Sequence, residues 1–139
     1  MRAWWLGIVL IVATACSGPS PSRTDSASLW WVSAAAAHGA HSSVDWAVAV
    51  RTTETDAVQQ VLGETTDEFG RADTWLLVVH GTRPFSCECS VLRGRRGSVD
   101  ARYLYVLVDP RTYRWGSFTE LRSSPVSLRD LGRQVTVHG

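Results

Sequence analysis

Two stretches decide the fold: Thr74-Trp75-Leu76-Leu77-Val78-Val79-His80 and Ala101-Arg102-Tyr103-Leu104-Tyr105-Val106-Leu107-Val108-Asp109. In the first, Trp75, Leu77 and Val79 alternate with Leu76 and Val78; in the second, Tyr103, Tyr105 and Leu107 alternate with Leu104, Val106 and Val108. Each run therefore has two apolar sides, which suits a strand covered on both faces at the centre of a sheet. Upstream, Val44, Trp46, Val48 and Val50 alternate with Asp45, Ala47, Ala49 and Arg51, the two-residue period of a half-buried strand. This reading places Trp46 and Trp75 at inward positions.

Thr53 suits the N-cap of a helix over Glu54–Leu62, with acids in the first turn, an apolar stripe of Ala57, Val58, Val61 and Leu62, and Gly63 at the exit. Residues 63–73 read as a polar loop with Phe69 as a plug. Asp109-Pro110-Arg111-Thr112 is a turn, because proline sets the φ of the second turn position. A hairpin return then runs through Tyr113, Trp115 and Phe118. Ser124-Pro125 breaks the chain, Ser127–Leu131 is expected as one helical turn, and Gln134–His138 as a short last strand. Strand, helix, strand, strand, strand with short connections predicts a single small α+β domain, a largely antiparallel sheet with one or two helices packed on it.

The N-terminal part has a different composition. Met1-Arg2 precede an apolar run from Trp4 to Val12 and the small residues Ala13-Thr14-Ala15, the layout of a secretory signal and too short for a bilayer span. Ala13-Thr14-Ala15-Cys16-Ser17 resembles a bacterial lipobox, departing from it where Ala13 replaces the usual Leu. The resemblance implies a signal peptide over 1–15 and diacylglycerol on the sulfur of Cys16, making a palmitate-type lipoprotein at the outer face of the cytoplasmic membrane. An ordinary signal cut near Ala15 is the alternative. Residues 16–28 then read as the lipidated cysteine and a polar, proline-punctuated tether reaching up to about 40 Å, and 29–139 as the globular domain. Leu29–Ala37 has helical propensity that Gly39 is expected to end. Trp30 and Trp31 are expected to pack on the domain, the lipid headgroup level being the alternative.

Without residues 1–15, arginines and carboxylates balance at 13 each, which argues against a general nucleic-acid binder. Residues 44–73 are acidic and 74–139 basic, and the two parts are expected to pack together. There is no lysine, so no lysine nucleophile or Schiff base. The chain also lacks a Gly-rich phosphate loop, a dinucleotide fingerprint and a Gly-x-Ser-x-Gly elbow beside His80-Gly81, and no catalytic residue or cofactor is expected.

Cys87-Glu88-Cys89 is the paired-thiol motif. In an exported protein it reads first as a local or labile disulfide, then as free or intermolecular thiols, then as a redox or metal pair joined by His80. His38, His41 and His138 read as structural or solvated. Arg93, Arg95 and Arg96 read as a solvated hairpin tip or as a contact to anionic lipid or an envelope polymer. The stretch from Tyr105 to Trp115 resembles the Asp-x-x-Thr-x turn of PepSY-type extracytoplasmic domains, which usually place Gly where Tyr113 stands. Together these features predict a non-catalytic binding or accessory module of the envelope, with thiol redox or metal handling by Cys87 and Cys89 as the second reading.

Overall fold

The computed structural model describes residues 23–64, 68–86 and 101–138. Helix α1 (Arg23–Gly39) leads into strand β1 (Val44–Thr53), helix α2 (Glu54–Leu62), β2 (Asp73–Gly81), β3 (Tyr103–Val108), β4 (Trp115–Arg122) and β5 (Gln134–Val137). The five strands form one sheet in the order β4-β3-β2-β1-β5, and each neighbouring pair is antiparallel. The domain is thus α+β. Strand β1, from the acidic stretch 44–73, lies between β2 and β5 of the basic part, so the two parts share one body.

The two-sided runs do form the central strands. On one face Leu77 and Val79 of β2 and Leu104, Val106 and Val108 of β3 pack with Leu29, Val32, Ala36 and Ala37 of α1. On the other, Leu76, Val78, Tyr105 and Leu107 pack with Ala57, Val58 and Val61 of α2 and Leu128 of the β4–β5 connection. Each large apolar side chain buried this way contributes about 1.5 to 3 kcal/mol relative to exposure. Ala47 and Ala49 of β1 are fully buried on the α1 side, where small residues on both elements let helix and sheet approach closely. The buried Ser33 of α1 donates from Oγ to the Leu29 carbonyl at 2.8 Å, which satisfies its hydroxyl inside the helix.

Local chemistry accounts for the element ends. Thr53 is extended and its hydroxyl accepts from the Asp56 N–H at 3.3 Å, while Gly63 is left-handed (φ 74°) and donates to the Gln59 carbonyl. In the β3–β4 turn the Asp109 carboxylate accepts from the N–H groups of Arg111 (2.7 Å) and Thr112 (3.2 Å), and Tyr113 donates to the Asp109 carbonyl at 2.8 Å. These bonds hold the Asp109 carboxyl below its ordinary range. Tyr113, where the PepSY-type turn places Gly, is left-handed (φ 58°). A side chain there costs of order 1 kcal/mol, offset by packing against the α1 face and by donation from its hydroxyl to Asp25.

The structure corrects several expectations. α1 begins at Arg23, so residues 23–28 belong to a helix and not to the tether. Two of their polar side chains have distant partners: Asp25 accepts from Tyr113, and Ser26 Oγ accepts from the His138 N–H at 3.2 Å. Gly39 is the last helical residue, but the left-handed residue that closes the helix is His41 (φ 61°), with Ser42 N–H bonded to the Ala37 carbonyl and His41 N–H to that of His38. Tyr113 belongs to the turn and not to the return strand. Ser127–Leu131 makes a turn closed by Leu131 N–H on the Leu128 carbonyl, without a helix, between Pro125 and a left-handed Gly132. Trp75 is buried as expected, with the Arg51 guanidinium 5.4 Å from its ring centre; Trp46 is 40% exposed.

Candidate functional site

Trp46 stands beside a β-bulge at the start of β1. The β1–β2 register passes from Val44 opposite Gly81 to Trp46 opposite His80, leaving Asp45 as an extra residue. Bulges re-aim side chains, and here Asp45 and Trp46 both reach His80. The Asp45 carboxylate lies 3.0 Å from His80 Nδ1, and the Trp46 indole stacks on the imidazole with ring centres 5.1 Å apart and planes 3° from parallel. Tyr103, opposite His80 on β3, meets the imidazole edge-on at 5.0 Å and the indole at 6.2 Å.

Trp46, His80, Tyr103 and Arg122 form one row across β1, β2, β3 and β4. The row lies on the α2 side of the sheet, beyond the strand positions that pack against α2. Arg122 closes it by donating to the carbonyl of Val61 in the last turn of α2, and its Nε stands 3.9 Å from Glu120. The ring stack and the contact between Nδ1 and the Asp45 carboxylate together fix the imidazole orientation. The row offers an indole, an oriented imidazole, a phenol and a guanidinium on a rigid sheet. Such a surface can stack on the flat face of a ligand and hydrogen-bond to it.

The expected site residues Cys16, Cys87, Cys89, Arg93, Arg95 and Arg96 lie outside the described residues. The ends of the segment carrying the last five are described, and both start from this end of the sheet. Gly81 N–H donates to the Arg102 carbonyl at 2.9 Å and Phe85 N–H to that of Ala101 at 2.7 Å. The outgoing stem is also held to the α1–β1 link, by Ser42 Oγ on the Arg83 carbonyl (2.8 Å), by Ser43 Oγ against Thr82 Oγ1 (2.6 Å) and by Ser86 N–H on the Ala40 carbonyl (2.9 Å). His80 and Tyr103 therefore adjoin the described stems 82–86 and 101–102.

His38, His41 and His138 are exposed and apart from this row. Among the described residues no three His, Cys, Asp or Glu side chains converge as metal ligands, and no helix is long and apolar enough to cross a membrane. Sequence reasoning named His80 only as a partner of the cysteines and missed Asp45, Tyr103 and Arg122. The available signal was the sequence Asp45-Trp46 at the start of one strand and His80 at the end of another. Compared with protein-family models, curated proteins and solved structures, the chain finds no match.

Proposed function

We propose that this chain is a lipid-anchored extracytoplasmic binding module, without catalysis, that takes its ligand at the Trp46–His80–Tyr103–Arg122 end of the sheet. The observation that carries this reading is the exposed Trp46 indole stacked on an imidazole that Asp45 orients. A large aromatic left open at a strand start yet held rigid by its neighbours has the character of a binding anchor. Arg122 belongs to the row, and the sequence between β2 and β3 carries Arg93, Arg95 and Arg96, a composition that favours an anionic partner. Stacking positions together with cationic ones suit an acidic envelope polysaccharide, whose ring faces are apolar and whose acid groups accept from guanidinium. Cys16 supplies the anchor, in keeping with its lipobox-like setting.

The test uses the full chain and insoluble, acid-bearing cell-wall polysaccharide in a sedimentation assay. Trp46→Ala is expected to lose most of the binding, and Trp115→Ala to keep it. Trp115 is the fitting control because it is as exposed (39%) but sits at the opposite end of the sheet. Equal sedimentation of Trp46→Ala and wild type refutes the site. Cys16→Ser is expected to remain uncleaved and to take up no labelled fatty acid; lipid label on that variant refutes the anchor.

A further inference from the structure

The adjacent indoles of α1 have opposite environments. Trp30 packs against the core on the flank of the helix, whereas Trp31 is 67% exposed, more than any other large apolar side chain among the described residues. With Leu29, Val32, Ser33, Ala36 and Ala37 buried, the 100° step per residue puts Ala27, Trp31, Ala34 and His38 along the back of the helix, and all four are exposed. No Asp, Glu, Lys or Arg occurs from Ser26 to Val44. The outward face of this helix thus carries two alanines, an indole and an imidazole and no Asp, Glu, Lys or Arg, where a solvated helix ordinarily carries several charged side chains.

We infer that the back of α1 lies on the bilayer surface, with the Trp31 indole at the headgroup level. The inference rests on the anchoring reading, and chain length gives its geometry. Arg23 is seven positions beyond Cys16, so the helix start lies within about 25 Å of the anchored cysteine. Trp31 is eight residues further, about 12 Å along the axis. Both ends of that span can therefore lie on one surface. Indole is favoured at the boundary between headgroups and acyl chains, and the absence of Asp, Glu, Lys and Arg on this face lowers the cost of bringing it there.

The neighbouring hairpin fits the same surface. Tyr113 joins the β3–β4 turn, which also carries the exposed Arg111, to the first turns of α1 through Asp25. A guanidinium on that turn suits anionic headgroups. α1 and the Trp46–His80–Tyr103–Arg122 row lie on opposite faces of the sheet. A domain resting on α1 therefore turns its candidate binding row away from the membrane, toward the envelope.

The test places a nitroxide label at Trp31→Cys, and for reference at Asp56→Cys on α2, in the full lipidated chain carrying Cys87→Ser and Cys89→Ser. The chain is reconstituted into vesicles of phosphatidylcholine and phosphatidylglycerol. Collision with a water-soluble nickel complex is expected to be several-fold lower at 31 than at 56, and collision with oxygen higher. Trp31 is exposed, so its replacement leaves the core intact. Vesicle-bound chain with site 31 as open to nickel as site 56 refutes this inference and leaves the anchor standing. Chain that stays in the aqueous phase refutes both. Spin–spin broadening at 31 on vesicles assigns the face to a second copy of the chain and also overturns the inference.

Discussion

Tyr105→Phe tests how the chain carries β5 from one edge of the sheet to the other. Tyr105 is fully buried in the α2-side core, and its hydroxyl accepts from the Val126 N–H at 2.7 Å. Burial pushes its phenol up from the ordinary value, with the Val126 bond acting in the opposite direction. Residues 123–133 cross that core, inserting Val126, Leu128 and Leu131, and deliver β5 beside β1 for only four paired residues, Ala47 to Val50 against Val137 to Gln134. The substitution keeps the ring and removes one oxygen. A neutral hydrogen bond is worth about 0.5 to 1.5 kcal/mol net, and a buried donor left without a partner adds a penalty that the half-buried Val126 feels only in part. The expected loss is about 1 to 2 kcal/mol, which for a domain of this size lowers Tm by roughly 4 to 8 °C. Urea unfolding should show a lower midpoint at unchanged slope, and amide exchange should accelerate at Val126 and at Val135 and Val137 of β5 before the central strands. An unchanged midpoint together with unchanged protection at Val126 refutes the reasoning.

Gly81→Ala is expected to destabilise by about 1 to 3 kcal/mol, because its Cβ would stand 2.7 Å from the Arg83 carbonyl oxygen, 2.9 Å from Phe85 Cζ and 2.9 Å from Ser42 Oγ; calorimetry showing wild-type Tm contradicts that close approach. Alkaline unfolding should report Tyr113, whose hydroxyl is pushed up to about 12 by desolvation first and by its bond to the Asp25 carboxylate second. A raised folded-state value means that the contribution is complete below pH 10, the ordinary value, and is lost as pH rises from 10 to about 12. Tyr113→Phe should flatten the fall in unfolding free energy across that window, leaving the part due to Tyr105; an identical slope in the variant counts against the bond.

The candidate row depends on contacts between strands whose partners are far apart in sequence. Asp45 and His80 are separated by 35 positions, and their contact requires the register shift at the start of β1. Nothing in a strand pattern of alternating residues announces a bulge, because the apolar period is the same on both sides of it. The pattern put Trp46 inward for a separate reason: it shares the face of Val48 and Val50, which do meet the α2-side core, but the row at the strand end lies beyond the helix that covers them.

The sequence by itself determined the elements whose causes are local. Two-sided apolar runs made β2 and β3 central, Thr53 and Gly63 bounded α2, and Asp109-Pro110 set the turn between β3 and β4, because backbone preference and the bonds that satisfy it act over a few residues. Tertiary structure decided the rest. Residues 23–28 are polar and small, a composition without enough apolar surface to order itself, yet they are helical because Asp25 and Ser26 find partners 88 and 112 positions away. Trp30 and Trp31 are alike in sequence and opposite in environment, since one step around the helix separates the flank against the sheet from the back. Burial and pairing of this kind are properties of the surface that another part of the chain brings up, which no local pattern carries.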